Sequence, residues 1–304
     1  MDAGALDWIA WPVIGPALGP ILGPFVEFGF MRRALVGCLT LAAAAAPVGV
    51  FLLLRRMSLI GDAMAHAVLP GAAIGFLVAG LSLAAMTIGG MVAGLAVALL
   101  SGAVARATVL REDASLAAFY LISLAAGVAI VSVYGSNVDL MRVLFGSVLA
   151  LDDAALLLLA GIATATFVAL AAIYRPLVVE CFDPQFLRTV GGAGTAAHMT
   201  FLVLVVLNLV GGFHALGTLM AVGIMMLPAA AARLWAREVW SMVLVAAAVG
   251  ALSSVAGLLL SYHADMPSGP AIVLVAGGAY ALSIALGTEG SLRQNLRPAR
   301  HLEA

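Results

Sequence analysis

The residues with the clearest chemistry are an aspartate and a histidine inside an apolar stretch. Asp62 and His66 are four positions apart, so a helix places both side chains on one face, one turn apart. A carboxylate oxygen and an imidazole nitrogen together suit a divalent ion such as Zn(II), Mn(II) or Fe(II). The alternative is structural: a buried Asp–His pair, or Asp62 capping a helix that starts after Gly61.

The composition places this pair in a membrane. Of the 304 residues, 64% are hydrophobic and only 10% are charged, and the mean hydropathy is +1.17, whereas a soluble domain is roughly 25% charged. The sequence therefore predicts an all-α polytopic membrane protein. Because a carboxylate at the bilayer centre costs about 2.5–3.5 kcal/mol, an acid and an imidazole sharing one face of one span favour a functional role.

Several function classes are excluded by missing residues. All 14 basic residues are Arg, and a phosphate-binding P-loop needs a Lys, so the chain does not bind ATP through that motif. No basic face could neutralise many phosphates, so no nucleic-acid partner is expected. The hydrolase patterns H-E-x-x-H and G-x-S-x-G are absent. The composition therefore points away from an enzyme.

Nine apolar runs are long enough to suggest spans, since a helix needs roughly 20 residues to cross the bilayer. The sixth and seventh are short and joined at Gly211 and Gly212, so the count falls to eight if they form one bent segment. Residues 135–152, between the fourth and fifth runs, show an apolar helical face and predict a short interfacial helix. The predicted spans are 31–54, 58–80, 84–105, 115–134, 152–174, 197–213, 215–232, 239–261 and 269–287.

Three regions follow from this pattern. Residues 1–29 are rich in Pro and Gly and carry two Trp, so we interpret them as an extracytoplasmic interfacial leader. Residues 30–288 form the transmembrane domain, and residues 289–304 form an Arg-rich tail. With nine spans and the N-terminus outside, 11 of the 14 Arg fall on the inner side, which predicts an outside N-terminus and a cytoplasmic C-terminus.

Other polar residues compete for a role in the spans. His214 follows the two glycines between the sixth and seventh runs, and broken helices sit at transporter binding sites; the alternative is a solvated histidine at a turn. His198 opens the sixth span and is predicted to lie at the interface. Glu112 and Asp113 begin the fourth span, where acidic residues cap a helix N-terminus.

Four segments resemble the zinc/manganese/iron permease family of ABC importers. Residues 57–71, MSLIGDAMAHAVLPG, resemble its second-helix signature, and residues 182–191, FDPQFLRTVG, resemble its ATPase-docking segment. Residues 216–232, LGTLMAVGIMMLPAAAA, look like its G-x-L…P-A-A-x-A helix, and residues 265–270, DMPSGP, look like its last outer turn. The resemblance runs from about residue 30 to 288 and leaves out the leader and the tail.

The resemblance implies a type II ABC importer permease in a bacterial inner membrane, in contact with its lipids. It implies a homodimer with metal passing along the two-fold axis, a separate cytoplasmic ABC ATPase and an extracytoplasmic metal-binding protein. No cofactor is bound permanently. The transported ion is Zn2+ or Mn2+, with Fe2+ the third option, and Asp62 and His66 are its predicted ligands, joined by His214 as a weaker candidate.

The predicted docking segment has its own local physics. Asp183 can cap a short helix with Pro184 in its first turn and Gly191 at its end. On such a helix Phe182 and Phe186 form an apolar knob that a groove of the ATPase could hold. The alternative is a loop packed on its own protein.

Two other functions remain compatible with these residues. Asp62 and His66 could relay protons in a proton-coupled secondary metal transporter, which needs no ATPase. A membrane scaffold or membrane enzyme would show no metal flux, and the enzyme would need a nucleophile or acid–base cluster that this sequence does not display.

Overall fold

The helices follow the apolar runs of the sequence. The structure is a computed structural model that describes residues 23–57, 59–80, 82–134, 151–183 and 193–289. Every regular element in these ranges is helical, so the predicted all-α fold is confirmed. Beyond a helical stretch at 23–27, the helices are α1 (Gly29–Leu54), α2 (Ile60–Ala67), α3 (Leu69–Ala79), α4 (Leu83–Ala107), α5 (Glu112–Tyr134), α6 (Asp153–Phe182), α7 (Ala193–Leu216), α8 (Thr218–Ala232), α9 (Val239–Ala264) and α10 (Ser268–Leu286).

Eight helical segments of the described ranges are long and apolar enough to cross a membrane, with α2 and α3 counted as one. The ninth predicted span is the shorter helix α8. Its second half packs against the second half of α1, because a Cβ on Gly49 would lie 1.9 Å from the Met225 oxygen and 3.2 Å from the Ala229 Cβ. Helix α8 begins at Thr218, directly after α7 ends at Leu216, and it then runs back antiparallel to α7. The two helices are therefore not one bent segment. The short interfacial helix predicted for residues 135–152 lies outside the described residues, apart from residues 151 and 152.

The centre of the fold is formed by α1 and α7. In each, 72% of the most apolar 18-residue window is buried, against 22% in α5 and in α10. The rings of Phe51 and Phe201 meet edge-to-face at 6.2 Å between centroids. The outer helices expose large apolar side chains such as Val78 and Ile122, as expected of surfaces that face lipid.

The predicted second span, 58–80, is interrupted. It forms α2 and α3, which are separated at Val68, because Pro70 has no N–H to donate to the preceding turn and is accommodated at the start of a new helix. The hydroxyl of Ser123 on α5 donates to the carbonyl oxygen of Ala67 at 2.8 Å. The prediction of a span here is confirmed, since residues 60–79 form one segment long and apolar enough to cross a membrane. A side chain of a neighbouring helix satisfies the backbone at the local interruption.

Two further boundaries differ from the prediction. Helix α6 continues to Phe182 instead of ending at 174, with Pro176 inside it. Helix α7 is continuous through Gly211, Gly212 and His214 and ends at Leu216, so the break expected at the glycine pair is wrong. The break falls at Gly217, whose φ of 97° is available at little cost only to glycine.

Helix α1 ends in a tight turn that leads directly to α2. The amide of Arg56 donates to the Leu53 oxygen at 3.0 Å and the amide of Met57 donates to the Leu52 oxygen at 2.9 Å, which is a Schellman motif. Its left-handed position, usually a glycine, is occupied by Arg56 at φ 59°. Backbone strain is thus stored beside the helix that carries Asp62.

The turn gives a testable contrast between two substitutions. Arg56→Gly is expected to leave thermal stability unchanged or slightly raised, because glycine adopts φ 59° without the steric cost of about 1–2 kcal/mol per residue. Arg56→Val is expected to destabilise by a similar amount, since β-branched residues are poorly tolerated there. Thermal unfolding of the purified variants in one detergent measures both. Equal melting temperatures for the two variants would contradict the strain.

Candidate metal site and a buried charged cluster

Asp62 and His66 lie on one face of α2, as the spacing predicts. Asp62 is in the first turn of the helix and His66 is in its last turn. Asp62 is exposed on the surface of the single chain and His66 is half-buried. The His66 ring stacks on Tyr120 of α5, with 6.4 Å between ring centroids. One ligand is thus open at the surface and the other is oriented by an aromatic neighbour.

The pair lies away from both ends of the bundle. A Cβ on Gly61 would lie 3.0 Å from Val222 and 3.6 Å from Met225, both in the central part of α8. Tyr120 is likewise well inside α5, which begins at Glu112. Asp62 is therefore an exposed carboxylate beside the central part of α8.

A cleft opens between α2 and α5 beside Asp62. Its volume is about 210 Å³, and its walls include Asp62, Asp113, Leu116 and Tyr120. Among the described residues no three His, Cys, Asp or Glu side chains converge closely enough to hold a metal ion. Asp62 lines this cleft, and His66 is on the same face of α2.

The weaker ligand candidate, His214, is on another helix. It is part of the continuous helix α7, so its backbone offers no broken turn. Two polar residues of the outer turn are carried by α9: His263 lies near its end, with its ring edge-on to Tyr262 at 5.2 Å, and Asp265 is its left-handed C-cap.

The predicted docking residues begin where α6 ends. Phe182 is the last residue of α6 and is 75% exposed, and Asp183 follows as its C-cap. An exposed phenyl ring at a helix end suits a contact with another protein. Pro184, Phe186 and Gly191, together with the short helix predicted for them, lie outside the described residues.

A second polar assembly, the charged cluster, lies at the end of the bundle where α1, α4 and α6 finish. Its side chains line a cavity of about 530 Å³. The side chains of Arg55, Glu180 and His198 are only 8%, 5% and 2% exposed. The members of the charged cluster are Arg55, Arg106, Glu112, Glu180 and His198.

The contacts within the charged cluster are closely spaced. Arg106 donates to Glu180 Oε1 through Nη2. Arg55 Nη2 lies 3.6 Å from Glu112 Oε2 and 3.9 Å from Glu180 Oε1, and the Arg55 guanidinium sits 5.4 Å from the Phe201 ring centroid. Two buried cations are thus balanced by two carboxylates, as buried charges require.

His198 connects the two sides of the charged cluster. Its Nδ1 faces Arg55 Nη2, and its Nε2 lies 2.9 Å from Glu112 Oε1. Because a guanidinium has only donors, Nδ1 is assigned as the acceptor nitrogen toward Arg55. The side chain of His198 is only 2% exposed, so it is buried within the charged cluster at the end of the bundle.

Sequence reasoning missed the charged cluster. Glu112 was expected to cap α5, with a docking role as the alternative, yet it also faces Arg55 and His198, and Glu180 was not singled out. The contacts join residues 74 and 143 positions apart, which no local pattern reveals. The available signal was that these ionisable residues all fall at helix ends on the predicted inner side of a chain with only 10% charged residues.

Comparisons with known proteins agree with the fold and with the motifs. Residues 27–287 match the ABC 3 transport family. The manganese import system permease protein ScaB of Streptococcus parasanguinis is 33% identical over 84% of this chain and 90% of its own. The manganese transport system membrane protein MntC of Halalkalibacterium halodurans is 30% identical over 85% and 87%. The structure of PsaBC from Streptococcus pneumoniae in complex with Fab covers 90% of this chain and 97% of its own at 28% identity, with a TM-score of 0.74.

Proposed function

The chain belongs to the ABC 3 transport family and is the transmembrane permease of a metal importer, and we propose that the ion it transports is Mn2+. The observation that carries this proposal is the placement of Asp62 and His66 on one face of α2, a helix of a candidate membrane span. Its oxygen and nitrogen donors suit Mn(II) as they suit Zn(II). The relatives named for manganese import favour Mn2+ over Zn2+ and Fe2+.

Asp62 and His66 act as a transient ion site that two copies of the chain complete. A carboxylate exposed to lipid on a membrane-spanning helix costs free energy, so a polar partner covers it. A second copy related by a two-fold axis would present its own Asp and His, giving two carboxylates and two imidazoles. The two carboxylates offset the charge of one divalent ion, and the ion must still bind weakly enough to leave.

ATP hydrolysis takes place in a separate cytoplasmic subunit. The chain has no P-loop, and Phe182 and Asp183 stand at the start of the segment that would dock on that ATPase. The match of the family to residues 27–287 supports this division of labour. The permease itself is then a transport subunit whose partner supplies the energy.

The remaining features of the proposal concern placement. The chain lies in the bacterial inner membrane with its N-terminus outside and its C-terminus in the cytoplasm, as the Arg distribution predicts. The charged cluster is then at the cytoplasmic end, beside the docking segment. An extracytoplasmic metal-binding protein delivers the ion to the opposite end.

Reconstitution tests the proposal directly. The chain with its ATPase in proteoliposomes, supplied with the delivery protein and Mn2+, is expected to accumulate Mn2+ only when ATP is present on the ATPase side. Uptake by the chain alone under a pH gradient would instead identify a proton-coupled secondary transporter. Absence of ATP-driven uptake of Mn2+, Zn2+ and Fe2+ would contradict the proposed function.

A further inference from the structure

The charged cluster is attached to both helices that flank the docking segment. Arg106 donates through Nη2 to Glu180 Oε1 near the end of α6. The same guanidinium donates through Nη1 to the Thr195 hydroxyl at 3.2 Å and through Nη2 to the Gly194 oxygen at 3.5 Å, in the first turn of α7. One side chain of α4 therefore holds the exit of α6 and the entry of α7 together.

The charged cluster is also attached to the helix that carries the metal ligands. Arg55 is the C-cap of α1, and only the strained turn at Arg56 and a few residues separate it from α2. Its guanidinium is wedged between the carboxylates of Glu112 and Glu180 and the His198 ring. A displacement of Arg55 is thus passed to α2 through a short, tightly hydrogen-bonded turn.

Helix α5 provides a second connection. Its first residue, Glu112, belongs to the charged cluster, and two turns further along Tyr120 stacks on His66. Leu116, between them, lines the cleft beside Asp62. The same rigid helix therefore touches the charged cluster and the histidine of the predicted ion site.

The pairing in the charged cluster leaves room for a second arrangement. Among the described residues, Arg55 Nη1 and Glu180 Oε2 are buried without a hydrogen-bond partner, an uncommon and costly state. Arg55 stands 3.9 Å from Glu180 beside a cavity of about 530 Å³. Glu180 can exchange Arg106 for Arg55 without any change in the number of buried charges, which is the kind of discrete two-state element that energetic coupling requires.

We propose that the charged cluster couples the docking segment to the ion site, with Glu180 as its central positioning residue. When the ATPase moves the ends of α6 and α7, Glu180 shifts between Arg106 and Arg55, and α2 and α5 move with Arg55 and Glu112. This inference rests on the proposed function, because it assigns the residues that link ATP hydrolysis to opening of the ion site. Glu180 does not touch the ion.

The test measures the ratio of Mn2+ transported to ATP hydrolysed in proteoliposomes that carry the whole transporter. Glu180→Gln keeps the size of the side chain and removes the charge that the two arginines share. We expect the ratio to fall about tenfold, with basal ATP hydrolysis and co-elution of the ATPase retained. A purely structural role would lower assembly and hydrolysis together and would leave the ratio unchanged.

Glu289→Gln is the matched control. Glu289 also forms an ion pair with an arginine, Arg237, at 2.5 Å, and its amide donates to the Leu234 oxygen at 2.9 Å, so its polar partners follow α8 and are not in the charged cluster. We expect a wild-type ratio for this variant. A wild-type ratio in Glu180→Gln, or an equal fall in both variants, would overturn the proposal.

A second variant keeps the test informative if Glu180→Gln does not assemble. Thr195→Val removes only the hydroxyl that accepts from Arg106, at an exposed position, and is expected to lower the ratio about twofold; an unchanged ratio would overturn the proposal. The wild-type measurement separates the two hypotheses. Without ATP-driven uptake by the wild type the proposed function fails, whereas normal wild-type uptake with an unchanged ratio in both variants contradicts only the role of the charged cluster.

Discussion

Asp62→Asn is expected to reduce ATP-driven Mn2+ uptake by roughly 100-fold or more, because loss of even an outer-shell partner costs about 10–100-fold at a metal site. In a homodimer the substitution replaces both carboxylate ligands with neutral amide oxygens, which are weaker ligands. It also leaves the ion without the negative charge that balances it. Uptake of Mn2+ into proteoliposomes with the wild-type ATPase and delivery protein measures the effect.

The melting temperature of Asp62→Asn distinguishes a loss of ion binding from misfolding of the variant. Removing an exposed charge from a membrane-spanning helix lowers the free-energy cost of placing that helix in the bilayer. The melting temperature of Asp62→Asn is therefore expected to equal or exceed that of the wild type. Asp153→Asn is the matched control, since Asp153 pairs with Arg33 at 3.1 Å at the far end of the bundle and should transport normally. Wild-type uptake in Asp62→Asn, and likewise in His66→Ala, would remove the assignment of the ion site.

Gly71→Ala is expected to destabilise the protein strongly, by about 3 kcal/mol or more. A Cβ at Gly71 would lie 2.0 Å from the Gly89 oxygen, and a Cβ at Gly89 would lie 2.1 Å from the Gly71 oxygen. Four residues further along α3, a Cβ at Gly75 would lie 2.4 Å from the Ala85 oxygen. Helices α3 and α4 are thus in backbone contact, as small residues spaced by four allow in membranes.

The measurement is thermal unfolding in detergent, compared with Gly161→Ala. A Cβ at Gly161 of α6 would meet nothing within 4 Å, so that control is expected to gain up to about 1 kcal/mol from helix propensity. Because α3 continues directly from the helix of Asp62 and His66, Gly71→Ala should also lower uptake. Equal melting temperatures for the two variants would contradict the close contact of α3 and α4.

The ion site could be anticipated from sequence because its two residues are neighbours along the chain. Asp62 and His66 are one helical turn apart, and that relation holds wherever the helix lies. The long apolar runs predicted helices for the same reason, since in a bilayer each span must satisfy its backbone groups within itself. The residues of 57–71 also carried the resemblance to the metal permeases.

The end of α7 was predicted wrongly, because the packing of neighbouring helices and the backbone angle at Gly217 determine where that helix ends. The glycines at 211 and 212 were expected to end a helix, yet they are packed against Ile162 and Ala221 and the helix continues to Gly217. The interruption before Pro70 has a local cause, because proline lacks an N–H, and a hydroxyl of α5 accommodates it. At the glycine pair the tertiary contact outweighs the local propensity, whereas at Pro70 the local chemistry decides.

By itself the sequence determined the helices, the membrane setting and the placement of Asp62 and His66 on one helix face, because each depends on periodicity or composition within one segment. Only the tertiary structure decided that Arg55, Arg106, Glu112, Glu180 and His198 share one buried cluster. Their helices come together through packing between residues far apart in the chain, and a buried charge is stable only where that packing supplies its partner.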